Sequence, residues 1–164
     1  MLLNFAAFAR ETGCGDVSVL HRALDAAWDW LIDRAPASGE LRLLAAACES
    51  QAPDTEQCQS PLVSAALDAA TATSCTLDLI VNGIPDRALE VLELARDTVD
   101  HFVQEVENLT GQEHDLESRI ARHPLMQAEL ARQAADLALL EAGTAPSSLP
   151  GSWRHPTSSS IGLT

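Results

Sequence analysis

The apolar segment 60–83 places the strongest constraint on how this chain folds. Its sequence, SPLVSAALDAATATSCTLDLIVNG, contains no Lys or Arg, and only Asp68 and Asp78 carry charge. Pro61 suits the first turn of a helix, and the closing Asn-Gly pair is a stop signal. Because apolar or small residues occupy nearly every direction around the axis, the pattern predicts a buried central helix over residues 61–82.

Amphipathic segments on both sides of this helix are available to pack against it. Apolar residues recur three and four apart in five of them, and the charged stretch 113–123 reads as a short solvated helix or loop. The five segments are 2–11, 17–34, 39–51, 86–109 and 125–141. We therefore expect an all-α, single-domain bundle of five or six helices around 61–82. The helical domain would cover 1–142, followed by a Ser/Pro-rich C-terminal tail over 143–164.

The two long helices after the central one each carry an apolar stripe. In the first, a 4-3 spacing predicts a heptad seam that faces either the bundle interior, which is favoured, or a second copy of the chain. Its residues are Ala88, Leu92, Ala95, Val99, Phe102, Val106 and Leu109. In the last helix, which opens at Pro124, five residues are expected to face inward. They are Met126, Leu130, Ala134, Leu137 and Ala138.

Charge and composition exclude several classes of function. All ten basic residues are Arg, so the chain has no Lys for a Schiff base or a phosphate-binding loop. A formal net charge of −14 repels nucleic-acid phosphates and anionic lipid headgroups. No uninterrupted apolar stretch is long enough for a membrane span, and the N-terminus lacks the basic region of a signal peptide. We expect a cytoplasmic protein with no nucleic-acid and no membrane partner.

The four Cys residues are widely spaced and form no CxxC pair. This spacing favours reduced structural thiols over a zinc site, so we expect no metal and no cofactor. They are Cys14, Cys48, Cys58 and Cys75. The first lies in Gly13-Cys14-Gly15-Asp16, which resembles half of a phosphate-binding loop but lacks the Lys and follows a helix rather than a strand. A helix break with Asp16 as the next N-cap explains this stretch.

Asp68 is the first candidate for chemistry. A carboxylate on an apolar helix must find a partner or have its pKa raised, and Asp68 shares roughly one side of its helix with Cys75. A structural salt bridge or hydrogen bond to an Arg such as Arg22 or Arg42 is favoured over a role as general acid or base.

His101 is the other catalytic candidate, and it is a weak one. It lies four residues after Asp97 on one helix face, a spacing that could hold a metal. However, the chain contains neither the Glu-x-x-His pairs of di-iron bundles nor an HExxH motif. Catalytic residues beyond Asp68 and His101 stay unknown from the sequence.

Four stretches together resemble one family. They are NFAAFARETGCGDVSVLHRALDAAWDWL (4–31), PLVSAALDAATATSCTLDLIVNG (61–83), HPLMQAELARQAADLALLE (123–141) and SSSIGLT (158–164). In order and spacing they are similar to YjaG-like bacterial proteins, domain-of-unknown-function family 416. The resemblance implies an all-helical fold of uncharacterised biochemical function and transfers no catalytic residue. Members of this family usually begin with one or two further helices, so we expect the N-terminal apolar residues Leu2, Leu3, Phe5 and Phe8 to lack a packing partner.

Two functional hypotheses follow. The first is a helical interaction or structural module that self-associates into a homo-oligomer, which rests on the heptad seam, the N-terminal apolar patch and the absence of a recognisable catalytic motif. The alternative is a small-ligand binder or enzyme with a pocket beside the central helix, in which Asp68 supplies the acid or base. The ligand of such a pocket is unknown from the sequence.

Overall fold

The computed structural model describes residues 1–109, 111, 114–149 and 161–162. Within these residues it contains seven α-helices, one 3-10 turn and no strand, which confirms the all-α fold. The count exceeds five or six because the charged stretch after residue 113 also forms a helix. The helices are α1 (Leu2–Thr12), α2 (Val17–Asp33), α3 (Ser38–Glu49), α4 (Val63–Asn82), α5 (Asp86–Val106), α6 (Leu116–Arg122) and α7 (Pro124–Glu141), and the 3-10 turn is Pro146–Ser148.

Local sequence signals set the helix ends. Gly13 and Gly83 adopt left-handed backbone angles, with φ of 72° and 66°, and terminate α1 and α4. Asp16 caps α2 because its side chain accepts a hydrogen bond of 2.9 Å from the backbone N–H of Ser18. The predicted helix break and N-cap in this loop are therefore confirmed. Pro124 is the first residue of α7, as predicted.

Helix α4 lies at the centre of the bundle and packs against α1, α2, α3 and α5. Half of its twenty residues are buried, including Ala66, Ala70 and Leu77, which have no exposed surface. Alanine lets the neighbouring backbones approach closely, so one helix can contact four others. The central position predicted from its composition is confirmed.

Helix α1 is well covered within this chain. Phe5 and Phe8 are fully buried, and Leu2 is also in the core. Leu3 is half-buried. The expectation that these apolar residues lack a packing partner is therefore wrong, because α2, α4 and the α1–α2 loop enclose them.

The heptad seam of α5 faces the interior of the bundle over its middle. Ala95 and Val99 are buried where α5 packs on α4 and α7, whereas Ala88 and Val106 near the two helix ends are exposed. The intramolecular interpretation of the seam is thus confirmed for its central turns.

Little of the predicted C-terminal tail is described. The 3-10 turn lies beside α2, and Ile161 is buried in the core. Residues 150–160 and 163–164, which include most of the stretch SSSIGLT, lie outside the described residues.

Candidate functional site

Asp68 lies on α4 at the interface with α5, where only 7% of its surface is exposed. Its Oδ2 atom is 2.8 Å from the hydroxyl oxygen of Thr98, which is fully buried on α5. That hydroxyl is also 2.9 Å from the carbonyl oxygen of Leu94, one turn earlier on α5. The acid is therefore held by a threonine and not by the expected Arg22 or Arg42.

The Thr98 hydroxyl has one hydrogen and faces two acceptors. Both contacts are satisfied when Asp68 is protonated, because its O–H then donates to Thr98 while Thr98 donates to Leu94. Burial raises the pKa of Asp68, which favours this arrangement. The hydrogen bond from Thr98 and the charge of His101 oppose the rise, and the charge of Asp97 adds to it.

His101 and Asp97 are neighbours of Asp68, but both are exposed on α5. Cys75 is buried two turns further along α4, where its neighbours are Glu90 and Arg87 instead. The structure thus brings His101 towards Asp68 and leaves Cys75 in a separate environment. Across the described ranges, no three His, Cys, Asp or Glu side chains converge as a metal site would require.

Asp78, the other charged residue of α4, belongs to a surface network with α5. Its Oδ2 is 3.0 Å from Nε of Arg87, and its other oxygen accepts from the amide of Asn82. Nη1 of Arg87 is 2.5 Å from Glu90. Since these side chains are partly exposed, the network fixes the start of α5 with only modest stabilisation.

Among the shallow clefts on the described surface are one beside α4 and one beside α6, and Asp68 lines neither of these two. One, of about 250 Å³, lies between α3 and α4 and carries Arg42, Glu49 and Asp78. The other, of about 280 Å³, lies between the end of α5 and α6 and carries Glu107, Arg119 and His123. Neither cleft gives a ligand access to Asp68, so neither supports it as a general acid or base.

Helix α7 is turned differently from the orientation that its sequence suggests. Of the five residues expected to face inward, only Met126 is buried. The other four are exposed on the outside of the bundle: Leu130, Ala134, Leu137 and Ala138. The exposed fractions of the two leucines are 38% and 49%. The predicted inward face of α7 is therefore wrong.

The buried side of α7 is polar, and its contacts explain the orientation. Glu129, which is 2% exposed, pairs with Arg132, and the Nε–Oε2 distance is 3.1 Å. Gln133 donates to Oε1 of Glu129 at 2.8 Å and to the carbonyl oxygen of Leu92 on α5 at 3.1 Å. Arg132 also bonds Asp136 at 2.8 Å. Because Arg132 and Gln133 satisfy the Glu129 carboxylate, α7 can bury Glu129 and Gln133 beside Met126.

With Ala131, the four outward residues form an arc that we call the α7 outer face: Leu130, Ala131, Ala134, Leu137 and Ala138. None of these five residues is charged, because Glu129, Arg132 and Asp136 lie on other sides of the helix, and Glu141, four residues after Leu137, marks the C-terminal end of the face. Among the described helices, only α5 and α6 pack against α7. The 3-4 spacing of Glu129, Arg132 and Asp136 was the available signal that these charges pair with one another.

In the described residues, seven helices form a bundle whose alanine-rich member, α4, lies at the centre, and a buried acid and an apolar outer face complete this class of fold. The family described as "Protein of unknown function (DUF416)" matches residues 1–149, and the chain belongs to this family. The predicted family resemblance is confirmed, while the narrower likeness to YjaG stays a prediction.

The chain also resembles a solved structure, that of a DUF416 family protein from Shewanella baltica. The TM-score is 0.84 and the sequence identity is 22%, and the match covers 99% of this chain and 86% of the other. At this identity the likeness establishes the fold. No curated protein matches the chain. In the part of the chain that the structure describes, each helix is too short or too polar to cross a membrane.

Proposed function

We propose that this protein is an interaction module that self-associates through the α7 outer face, with a second copy of the chain as the occupant. The observation that carries the proposal is the outward orientation of Leu130 and Leu137 on a face without charge. These leucines and Ala134 follow a 4-3 spacing, which suits packing against another helix with the same pattern. The alanines beside them allow a close approach of the two backbones.

Charge supports a second copy as the partner. A molecule with a net charge of −14 repels its own copies, so two copies meet most readily where acidic side chains are few or paired. The α7 outer face is such a surface over residues 130–138, since Glu129 and Asp136 beside it are both paired with Arg132. A two-fold axis would place the same uncharged face on both sides of the contact.

The energy of this contact predicts a weak dimer. Complete burial of a leucine side chain contributes about 1.5–3 kcal/mol, so two leucines that are 38% and 49% exposed contribute about 1 kcal/mol each. With several tenths from each alanine, two copies together gain roughly 6 kcal/mol, and the loss of translational and rotational freedom opposes this gain. We therefore expect a weak dimer that forms only at millimolar protein concentration.

Sedimentation velocity of the full chain from roughly 10 μM to 1 mM, a range that brackets weak affinities, tests the proposal. The wild type is expected to shift from monomer towards dimer as its concentration rises. Leu137→Glu replaces the more exposed leucine of the α7 outer face with a charge and should leave a folded monomer at every concentration. Because this position is half exposed, the substitution should leave the helical circular dichroism unchanged.

Leu43→Glu is the matched control, because Leu43 on α3 is 75% exposed and far from α7 in the fold. This variant should associate as the wild type does. A wild type that remains monomeric up to about 1 mM would overturn the proposal. Loss of the dimer in Leu43→Glu with its retention in Leu137→Glu would place the contact on α3 instead.

The cellular location and the alternative function stay predictions. A cytoplasmic location is supported by the wide spacing of the four Cys residues, which favours reduced thiols. No observation favours Asp68 as the acid or base of a pocket beside the central helix, since it is buried against Thr98 and does not line the cleft between α3 and α4.

A further inference from the structure

Two cysteines that are far apart in the sequence meet across two loops. Cys14 lies in the loop between α1 and α2 and is exposed, while Cys58 lies in the loop before α4 and is half-buried. Hydrogen bonds between Glu11 and Ser60 and between Asp16 and Gln51 bring the two loops together, so that the two thiols lie near each other. The other two cysteines, Cys48 and Cys75, are buried on α3 and α4.

The backbone around Cys14 is held in place on both sides. Gly15 has a φ of 80° and packs so closely on the ring of Phe5 that an added Cβ would lie 2.7 Å from Cζ. The N–H of Cys14 donates to the hydroxyl oxygen of Thr12 at 3.1 Å, and that hydroxyl lies 2.9 Å from the carbonyl oxygen of Phe8. The exposed thiol of Cys14 is thus carried on an ordered turn.

The loop that carries Cys58 is similarly fixed. The N–H of Cys58 donates to the carbonyl oxygen of Asp54 at 3.0 Å, and the Asp54 side chain accepts from the N–H of Glu56 at 2.9 Å. These bonds close a turn over residues 54–58 and set the direction of the Cys58 side chain.

Two hydrogen bonds join the loops on either side of the cysteines. The N–H of Asp16 donates to Oε1 of Gln51 at 2.8 Å. The hydroxyl of Ser60 donates to Oε1 of Glu11 at 3.0 Å. The two thiols therefore lie in loops that are already tied together on both sides of the cysteines.

We propose that Cys14 and Cys58 are a redox-sensitive pair that forms a reversible intramolecular disulfide in the presence of a hydroperoxide. The exposed Cys14 thiolate attacks one oxygen of the peroxide, breaks the O–O bond and becomes a sulfenic acid. The Cys58 thiolate then attacks the Cys14 sulfur and displaces the hydroxyl group. Overall, two thiols and one hydrogen peroxide give one disulfide and two water molecules. A dithiol reductant restores both thiols.

The order of the two steps follows from exposure and from acidity. Burial raises the pKa of Cys58, and the neighbouring Cys14 raises it further, so Cys58 is mostly a thiol near neutral pH. Since the thiolate is the nucleophile, Cys58 is suited to the second, intramolecular step. The disulfide should form faster at pH 8.5 than at pH 7.

Peptide mapping after mild treatment with hydrogen peroxide and alkylation of the remaining thiols tests the proposal. Cleavage on the N-terminal side of Asp separates the four cysteines into peptides 1–15, 33–53, 54–67 and 68–77. We expect 1–15 to be linked to 54–67 in a monomer that has lost two hydrogens, and the other two cysteines to be alkylated. The linked form should also unfold at a higher temperature than the reduced form, because the disulfide restricts the unfolded chain.

Single serine variants provide the controls. Cys14→Ser and Cys58→Ser should each abolish the linked peptide and the rise in unfolding temperature, whereas Cys48→Ser should retain both. The proposal is overturned if both thiols remain fully alkylated after peroxide treatment. It is equally overturned if the main product is a covalent dimer through Cys14, or if 54–67 is linked to 68–77 instead.

Discussion

Replacing Thr98 with valine isolates the contact that holds Asp68 in the bundle. Valine has nearly the same shape as threonine, so Thr98→Val leaves no cavity at a position with no exposed surface. The change removes the hydroxyl 2.8 Å from Asp68 and leaves that buried carboxyl without this partner. The carbonyl of Leu94, the second neighbour of the hydroxyl, lies within a helix and retains its backbone hydrogen bond.

The expected decrease in the free energy of unfolding of Thr98→Val follows from burial at this position. Leaving a buried polar group unsatisfied costs about 1–3 kcal/mol, and the 7% exposure of Asp68 gives water little access to replace the hydroxyl. With a urea dependence of about 2 kcal/mol per molar, a loss of about 2 kcal/mol lowers the urea midpoint by about 1 M. Urea titration followed by circular dichroism at pH 7 measures this shift.

Thr73→Val is the matched control for Thr98→Val. Thr73 is buried on α4, and its hydroxyl donates to the carbonyl oxygen of Ala69 at 2.8 Å. Removal of the Thr73 hydroxyl therefore leaves no buried carboxyl without a partner. We expect Thr73→Val to lower the free energy of unfolding by much less than Thr98→Val. Equal losses in the two variants, or a loss below about 0.5 kcal/mol for Thr98→Val, would refute the assigned role of the Asp68–Thr98 contact.

Two further predictions concern the same core and the loop before α2. Because burial raises the pKa of Asp68, the folded chain binds its proton more tightly than the unfolded chain, and stability falls as pH rises from about 3.9 through the folded pKa. Asp68→Asn should therefore raise the urea midpoint at pH 7 and lose this advantage near pH 3; a variant that is less stable at pH 7 would contradict this sign. Gly15→Ala should lower the free energy of unfolding, measured by urea titration, by about 1–3 kcal/mol, because the φ of this residue is 80° and the added Cβ would meet Phe5. In Gly39→Ala, on α3, the added methyl group meets no neighbouring atom, so the free energy of unfolding should rise by up to about 1 kcal/mol. Similar losses of stability in both variants would exclude the steric cause.

Helix positions could be predicted because they depend on neighbours in the sequence. Gly13 and Gly83 end helices by adopting left-handed backbone angles, and Asp16 caps α2 through a hydrogen bond to a residue two positions away. Such signals depend only on residues within one or two helical turns, so they can be recognised without knowledge of the tertiary structure. The central place of α4 follows for a related reason, since a helix without a polar face must be surrounded.

Side-chain partners could not be predicted in the same way. The sequence marks Asp68 as a buried acid that needs a partner, but it does not distinguish an Arg from Thr98, thirty residues later on α5. The two carboxylates of α4 show the difference, because only Asp78, near the end of the helix, meets an Arg.

The sequence by itself determined that this chain is a helical bundle, roughly where its long helices lie, and which helix lies at its centre. The exact ends differ, because α4 begins at Val63 and not at Pro61, and α5 ends at Val106 and not at Leu109. The tertiary structure alone decided which way α7 turns, because its apolar stripe and its polar stripe could each face the bundle. The polar side faces inward since Gln133 reaches the carbonyl of Leu92 and Arg132 pairs with Glu129, and the apolar side is thereby left outside. The meeting of Cys14 and Cys58 likewise depends on two loops that only the packing of α1 and α3 on α4 brings together.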